Sequence, residues 1–209
     1  MGYLYFTRHG QTIWNAEDKI CGATDIALTE LGRKQAAELG KTIRAMMEKG
    51  EIRIDRILAS PLSRASDTAE IISGQTGIPW AKEERLTEQN FGRFESTSPR
   101  NGAEFRAAKQ NFIHSFGGGE TMLHLSHRIY SVIDEIEQDT KETGRTTLIV
   151  AHNGISRVVR SYFEDMTNEE FSSFGIKNCQ LLRFEFPEKR DIYGRAEKIN
   201  FVQTKPDQG

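Results

Sequence analysis

Three short stretches of this chain set arginine or histidine beside a turn-forming residue, and all three could meet an anion. The first, Arg8-His9-Gly10, follows the aromatic-rich run Tyr3 to Thr7. The second, Ser60-Pro61-Leu62-Ser63-Arg64, follows Asp55 to Ala59, and the third, His152-Asn153-Gly154, follows Thr146 to Ala151. Each preceding run reads as a strand, the last so continuously apolar that burial on both faces is expected. Ligands of open α/β sheets bind at the carboxyl ends of strands, and Gly10 permits the sharp exit such a site needs. If the first and last strands are neighbours in a parallel sheet, both imidazoles sit at one edge. Arg64 falls on the first turn of a helix opened by Ser60-Pro61, where side chains lean back toward the N-terminus. Two arginines, two histidines and the N–H groups of a helix start form a phosphate pocket by charge and by dipole. Taken singly, each has a plainer reading: Arg-His-Gly can close a strand, Arg64 can be a solvated helix charge, and His152 a satisfied core histidine.

The elements that must position these residues follow from periodicity. Thr29 caps a helix running to about Lys49 and stopped by Gly50, with Leu31, Leu39, Ile43, Met46 and Met47 along one face. The helix after Ser60-Pro61 buries Leu62, Ala65, Ala69 and Ile72, and Gly74 and Gly77 end it. A short strand is predicted near Trp80 to Leu86 and a helix from Ala103 to about His114. Gly117-Gly118-Gly119 is a break and not a phosphate-cradling loop, because no Gly-Lys-Ser/Thr follows. Met122, Leu125, Ile129, Val132, Ile133 and Ile136 mark a long amphipathic helix ending near Gly144. A further helix carries Ile155, Val158, Val159 and Tyr162, and Thr167 with Glu170 has capping-box spacing for another. Leu182, Phe184 and Phe186 alternate as a strand, with Tyr193 to Val202 pairing beside it and a polar, fraying tail at 203–209. Strands alternating with helices, without repeats or a linker, predict one domain over 1–202: an α/β layered sandwich with a mostly parallel sheet.

Composition narrows the function. A formal net charge of −2 gives no reason to expect nucleic acid as a partner, since that would favour a strongly basic face. No apolar run approaches the roughly 18 residues that span a bilayer, and the chain enters its first strand without a basic-then-apolar leader, so a cytoplasmic protein with no membrane partner is expected. Cys21 and Cys179 are too few for a disulfide scaffold and lie in no metal-ligand spacing. Neither has an arginine six residues on, so neither is the nucleophile of a cysteine phosphatase. No Asp-x-Asp pair supports an aspartate nucleophile. His124 and His127, three apart on the long helix, have a spacing that could bind metal, although a surface or rim position is the plainer reading.

The spacings of several motifs together resemble the histidine phosphatase superfamily, the phosphoglycerate mutase-like group. They are Arg8-His9-Gly10-Gln11-Thr12 with Asn15, Ser60 to Ala65 with Thr68-Ala69, Leu86-Thr87-Glu88 leading to Gly92 and Glu95, and Ala151 to Gly154 with Arg157. Gly22, Asp25, Leu28-Thr29, Gly32, Gly119-Glu120-Thr121 and Arg128 add to the likeness, which covers about residues 3 to 185. The resemblance implies a three-layer α/β/α sandwich of phosphoglycerate mutase type. It implies His9 as a nucleophile that carries the phosphoryl group as phosphohistidine, with Arg8, Asn15, Arg64, His152 and Asn153 around the phosphate. Glu88 would protonate the leaving alcohol and then activate water, which favours a carboxyl pKa raised toward neutrality; Glu83, Glu84 and Glu95 are nearby alternatives. Gln11, Cys21, Gly22 and His124 would stand at the substrate rim. The cations make a metal or other cofactor unnecessary, and the partner expected is a small phosphorylated substrate.

Within that group, hydrolysis is expected over phosphoryl transfer between hydroxyls. Cofactor-dependent mutases carry a long insertion between the acid and the second histidine whose basic residues hold the substrate. Here that interval is short, and Arg93, Arg100, Arg106 and Lys109 do not form the mutase pattern. Gln11-Thr12 also replaces the glutamate-serine pair usual in those mutases. A mutase, and a phosphate-binding module without catalysis, are the alternatives. Asn153 where glycine is frequent and Ser96 where glycine usually follows the Phe-Glu pair are departures from the family pattern.

Overall fold

The computed structural model describes residues 2–99, 102–188 and 202–203. Its elements, in chain order, are β1 (Gly2–Arg8), α1 (Ile13–Ala16), α2 (Glu30–Glu48), β2 (Arg56–Ala59), α3 (Ser63–Thr76), β3 (Trp80–Lys82), α4 (Ala103–Lys109), α5 (Met122–Thr143), β4 (Thr147–Ala151), α6 (Asn153–Phe163), α7 (Asn168–Ser173), β5 (Leu181–Phe186) and β6 (Val202–Gln203). The strands form one sheet in the order β3-β2-β4-β1-β5-β6. β3, β2, β4 and β1 run parallel, and β5 and β6 pair antiparallel at the far edge. Of the strand expected over 193–202 only Val202 is described, and 204–209 of the expected tail also lie outside the described residues, as does Arg100.

The sheet is covered on both faces. Tyr5, Ile57, Leu148 and Val150 pack with Leu39 and Ile43 of α2 and Ala65, Ala69 and Ile72 of α3. Leu4, Phe6, Ile149, Ala151, Leu182 and Phe184 pack on the opposite face with α5 and α6. Alternate residues of each strand therefore feed alternate cores, and every residue of β4 is buried, as its unbroken apolar run requires. The result is the expected three-layer α/β/α sandwich with a mostly parallel sheet.

Some boundaries differ from the sequence reading. α3 starts at Ser63, two residues later than the serine-proline start suggests. The Ser60 hydroxyl accepts from the Leu62 N–H, and the carboxylate of Asp25 takes both the N–H and the hydroxyl of Ser63. The helix start is thus capped from a loop distant in sequence, and the Ser63 N–H, one of the donors expected for phosphate, is already bound. Leu31, expected in the core, is half exposed; the buried face of α2 is Gly32, Ala36, Leu39, Gly40 and Ile43. Small residues win there because α2 lies tight against α3: a Cβ on Gly40 would stand 2.8 Å from the Cβ of Gln75. The predicted strand to Leu86 stops at Lys82, after which Glu84–Leu86 form a 3-10 turn, and the predicted helix to His114 stops at Lys109.

Candidate active site

Register brings the two histidines together. Arg8 of β1 lies opposite Ala151 of β4, so the next residues, His9 and His152, leave the sheet side by side. The His9 N–H still donates to the Ala151 carbonyl at 3.0 Å, and the two rings lie 5.1 Å apart between centroids, tilted by 59°. The chain then turns toward opposite faces, from β1 to α2 and from β4 to α6, which opens the crevice typical of a topological switch point.

Below His9 the turn rests on backbone. The Gly10 N–H donates to Thr68 Oγ1, and a Cβ at Gly10 would meet the Gly32 carbonyl at 2.3 Å. A Cβ at Gly32 would in turn meet the Gln11 carbonyl at 2.1 Å. His9 Nδ1 stands 2.7 Å from the Gly10 carbonyl. A carbonyl can only accept, so Nδ1 carries the proton and Nε2 the lone pair. Burial, followed by the charges of Arg64 and Arg8, holds the imidazole pKa well below its ordinary value, so the ring is neutral.

Arg64 is wholly buried. Its Nε donates to His152 Nδ1 at 3.2 Å, Nη1 to the Thr24 carbonyl at 2.8 Å and Nη2 to the Gly22 carbonyl at 2.6 Å. One N–H on each terminal nitrogen is left over. His152 is also held neutral, chiefly by burial and then by Arg64, and its buried Nε2 has no hydrogen-bond partner among the described residues.

Glu88 is buried too. Its oxygens accept from the Gly154 N–H at the start of α6, at 2.8 Å, and from the Gln89 N–H at 2.9 Å. Both bonds favour the carboxylate, yet burial outweighs them and raises the pKa. Glu95, one of the alternative acids, has both oxygens occupied by donors from Ala23, Thr24 and Phe91, so it serves as a clamp on the loop whose carbonyls hold Arg64. Glu83 is paired with Arg85. Glu120 and Arg128 likewise pair through two bonds, fixing the start of α5.

A cavity of about 1030 Å³ opens over His9, with Arg64 and His152 outside its lining. Arg8, His9, Asn15, Cys21, Glu88 and Asn153 of the sequence-derived set line it. Asn15 accepts with Oδ1 from the Thr12 N–H, which leaves its amide N–H groups for a ligand. Asn153 uses Oδ1 to accept from the Ile176 N–H, so its oxygen holds a neighbouring loop in place. Gly22 contributes its carbonyl to Arg64. Gln11 bonds to Thr29 and Gln35, and His124 is exposed near the start of α5; neither lines the cavity. Burial raises the Cys21 thiol to about 11, which leaves it protonated. Among the described residues, no group of three or more His, Cys, Asp or Glu side chains could hold a metal ion.

Other cavity residues were not legible in the sequence. Ile176 accepts from Arg8 Nη1 through its carbonyl, and Asn178 donates to the His9 carbonyl at 2.8 Å. No motif marks this loop. Arg157, about one helical turn beyond Asn153, and Lys109 at the end of α4 also line the cavity. The motif match names Arg157 without giving it a role; nothing in the sequence points to Lys109.

The model of the histidine phosphatase superfamily (branch 1) matches residues 4–197. The chain belongs to this superfamily. A 2,3-bisphosphoglycerate-dependent phosphoglycerate mutase from Cytophaga hutchinsonii is 29% identical over 201 residues, covering 92% of this chain and 91% of the relative. Among solved structures, Bacillus stearothermophilus YhfR is 26% identical with a TM-score of 0.74, covering 98% and 96% of the two chains. The mycobacterial glucosyl-3-phosphoglycerate phosphatase shares the fold at a TM-score of 0.78 and 22% identity, with 97% and 99% covered. Members of the superfamily are phosphatases or mutases, and the likeness to both kinds of relative leaves the site's chemistry to be argued from its own geometry.

Proposed function

We propose that the protein is a metal-independent phosphomonoesterase that passes the phosphoryl group of a small metabolite through His9. The observation that carries this is the bond from His9 Nδ1 to the Gly10 carbonyl, which leaves a neutral Nε2 lone pair beside buried cations. Nε2 attacks phosphorus, the P–O bond to the leaving alcohol breaks, and protonated Glu88 gives that oxygen its proton. A water then attacks the phosphohistidine, Glu88 takes the water's proton, and phosphate departs with His9 restored. Splitting one displacement into two lowers each barrier.

Charge on the phosphoryl oxygens is met by Arg8, the remaining Arg64 N–H groups, the Asn15 amide and the Nε2–H of His152. Preorganised donors are most of what phosphoryl transfer requires of a protein, and each is typically worth about 3–4 kcal/mol in the transition state. Hydrolysis of p-nitrophenyl phosphate in the presence of chelator, with loss of both turnover and trapped phosphoenzyme in His9→Ala, tests the reading. Turnover that depends on added metal overturns it.

The mutase reading is favoured by one observation, the 29% identity to a protein bearing that name. Incubation with 3-phosphoglycerate and 2,3-bisphosphoglycerate separates the two, since a mutase forms isomer faster than it releases phosphate.

A further inference from the structure

Of the cations that line the cavity and that the chemistry at His9 does not use, Lys19 and Arg160 pair with Glu17 and Glu164 and Lys177 is exposed, which leaves Arg157 and Lys109. Arg157, on α6, is 97% buried, with 3% exposure, and its Nε and Nη1 have no hydrogen-bond partner among the described residues. Leaving a buried guanidinium N–H unbonded costs more than forming a bond gains, so such nitrogens mark a place for an acceptor. Lys109, on α4, lines the same cavity, with its ammonium 5.2 Å from the centre of the Phe105 ring. Burial, and then the charges of Arg157 and Arg106, push the Lys109 pKa down to about 8, which still leaves the amine mostly charged near neutral pH. Glu88 is the carboxylate that attracts Arg157, but both of its oxygens accept backbone N–H groups. Two like charges thus line one cavity, and among the described residues no protein anion is bonded to them there, a disposition that costs free energy unless an anion enters.

We propose that Arg157 and Lys109 form a second oxyanion subsite, so that the leaving group carries a carboxylate or a second phosphate in addition to the phosphoryl group removed. Arg157 supplies a planar set of donors suited to two oxygens, and Lys109 supplies a point charge. The subsite rests on the phosphomonoesterase reading only for which end of the substrate lies at His9. It narrows the substrate class to small dianion-tailed or carboxylate-tailed phosphomonoesters and disfavours neutral alcohols such as sugars without an acidic group.

Calorimetric titration of the His9→Ala protein tests the subsite by affinity alone. The ligands are 3-phosphoglycerate, glycerol 3-phosphate, which has hydroxymethyl in place of carboxylate, and glycerol 1,3-bisphosphate. At least one anionic tail is expected to bind about tenfold or more tighter than the hydroxymethyl tail, as one charge-assisted pair provides. Which tail gains identifies carboxylate or phosphate. Lys109→Met in the same background is expected to bring the affinity ratio to within about threefold of one, as loss of such a pair implies. Equal binding of all three ligands, or a preference unmoved by Lys109→Met, overturns the subsite. Arg157→Met is the second variant, and Lys109→Met keeps the test decisive if Arg157→Met does not fold. Turnover of p-nitrophenyl phosphate by the unmutated protein is scored separately, so absence of hydrolysis refutes the phosphatase reading while the affinity ratio still judges the subsite.

Discussion

Arg64 sets the tautomer of His152. Because the Arg64 Nε–H donates to His152 Nδ1 at 3.2 Å, the neutral ring must carry its own proton on Nε2. His152 is thereby made a donor, while the Gly10 carbonyl makes its neighbour His9 an acceptor at the opposite nitrogen. Two histidines 5.1 Å apart are given complementary roles by one bond each.

Replacing Arg64 should therefore damage chemistry and stability together. Arg64→Met removes the donor that orients His152 and strands the Gly22 and Thr24 carbonyls. A fall in kcat/KM of about 10²–10³-fold is expected, with a loss of about 2–4 kcal/mol of folding stability. Steady-state kinetics and urea unfolding check both, and unchanged stability would contradict the buried hydrogen-bonding pattern.

Stability of the ligand-free protein should fall on mild acidification. His9 and His152 have pKa values depressed in the folded state, so the unfolded chain binds more protons below the ordinary histidine value. Their contribution is fully present above about pH 6.5 and is lost as pH falls, with a limiting slope of about 2.7 kcal/mol per pH unit for two groups. Glu88 opposes this slope. Its raised folded pKa gives a contribution present below its ordinary value and lost as pH rises, so Glu88→Gln should steepen the dependence. Unfolding free energies at pH 5.5, 6.5 and 7.5 (three values spanning the ordinary histidine pKa) provide the measurement.

The pH dependence and leaving-group dependence of turnover should both trace to Glu88. A proton donor is active below its pKa, so kcat/KM should decline on the alkaline side, and Glu88→Gln should remove that limb. The same variant should lose about 10²–10⁴-fold with alkyl phosphates and far less with p-nitrophenyl phosphate, whose leaving group needs little protonation. An equal loss on both substrates would reassign the acid.

Gly154→Ala should reproduce part of the Glu88 defect without touching a titrating group. An added Cβ would stand 2.5 Å from Glu88 Oε1, closer than real atoms approach, so the carboxylate must move. A drop in kcat for alkyl phosphates of about tenfold or more is expected, since small displacements of a catalytic group are costly. Kinetics of the variant on alkyl and aryl phosphates decide it.

The strands that carry the histidines were legible because β1 and β4 are apolar where they must be buried, and both end at a histidine followed within two residues by glycine. Their adjacency leaves no mark in the sequence and comes from the register Arg8–Ala151. Contacts between distant segments were not legible: Asp25 capping α3, small residues of α2 displacing Leu31, and the 175–178 loop bonding to Arg8 and His9. Each depends on a distance across the fold and leaves no periodicity behind. The motif match placed Glu88 near the site, but its burial against the start of α6 is a property of packing. In the sequence Lys109 is one of several basic residues between Glu88 and His152, and its place on the cavity wall with Arg157 comes from the fold.

The meeting of Gly10 with Gly32 constrains what future variants of this enzyme can be. When two side chains collide, one can usually shrink to let the other grow. Here each glycine abuts peptide backbone, and both already carry the smallest residue available. No side-chain substitution elsewhere can shrink a peptide carbonyl, so a mutational search should find these two positions closed individually and in combination.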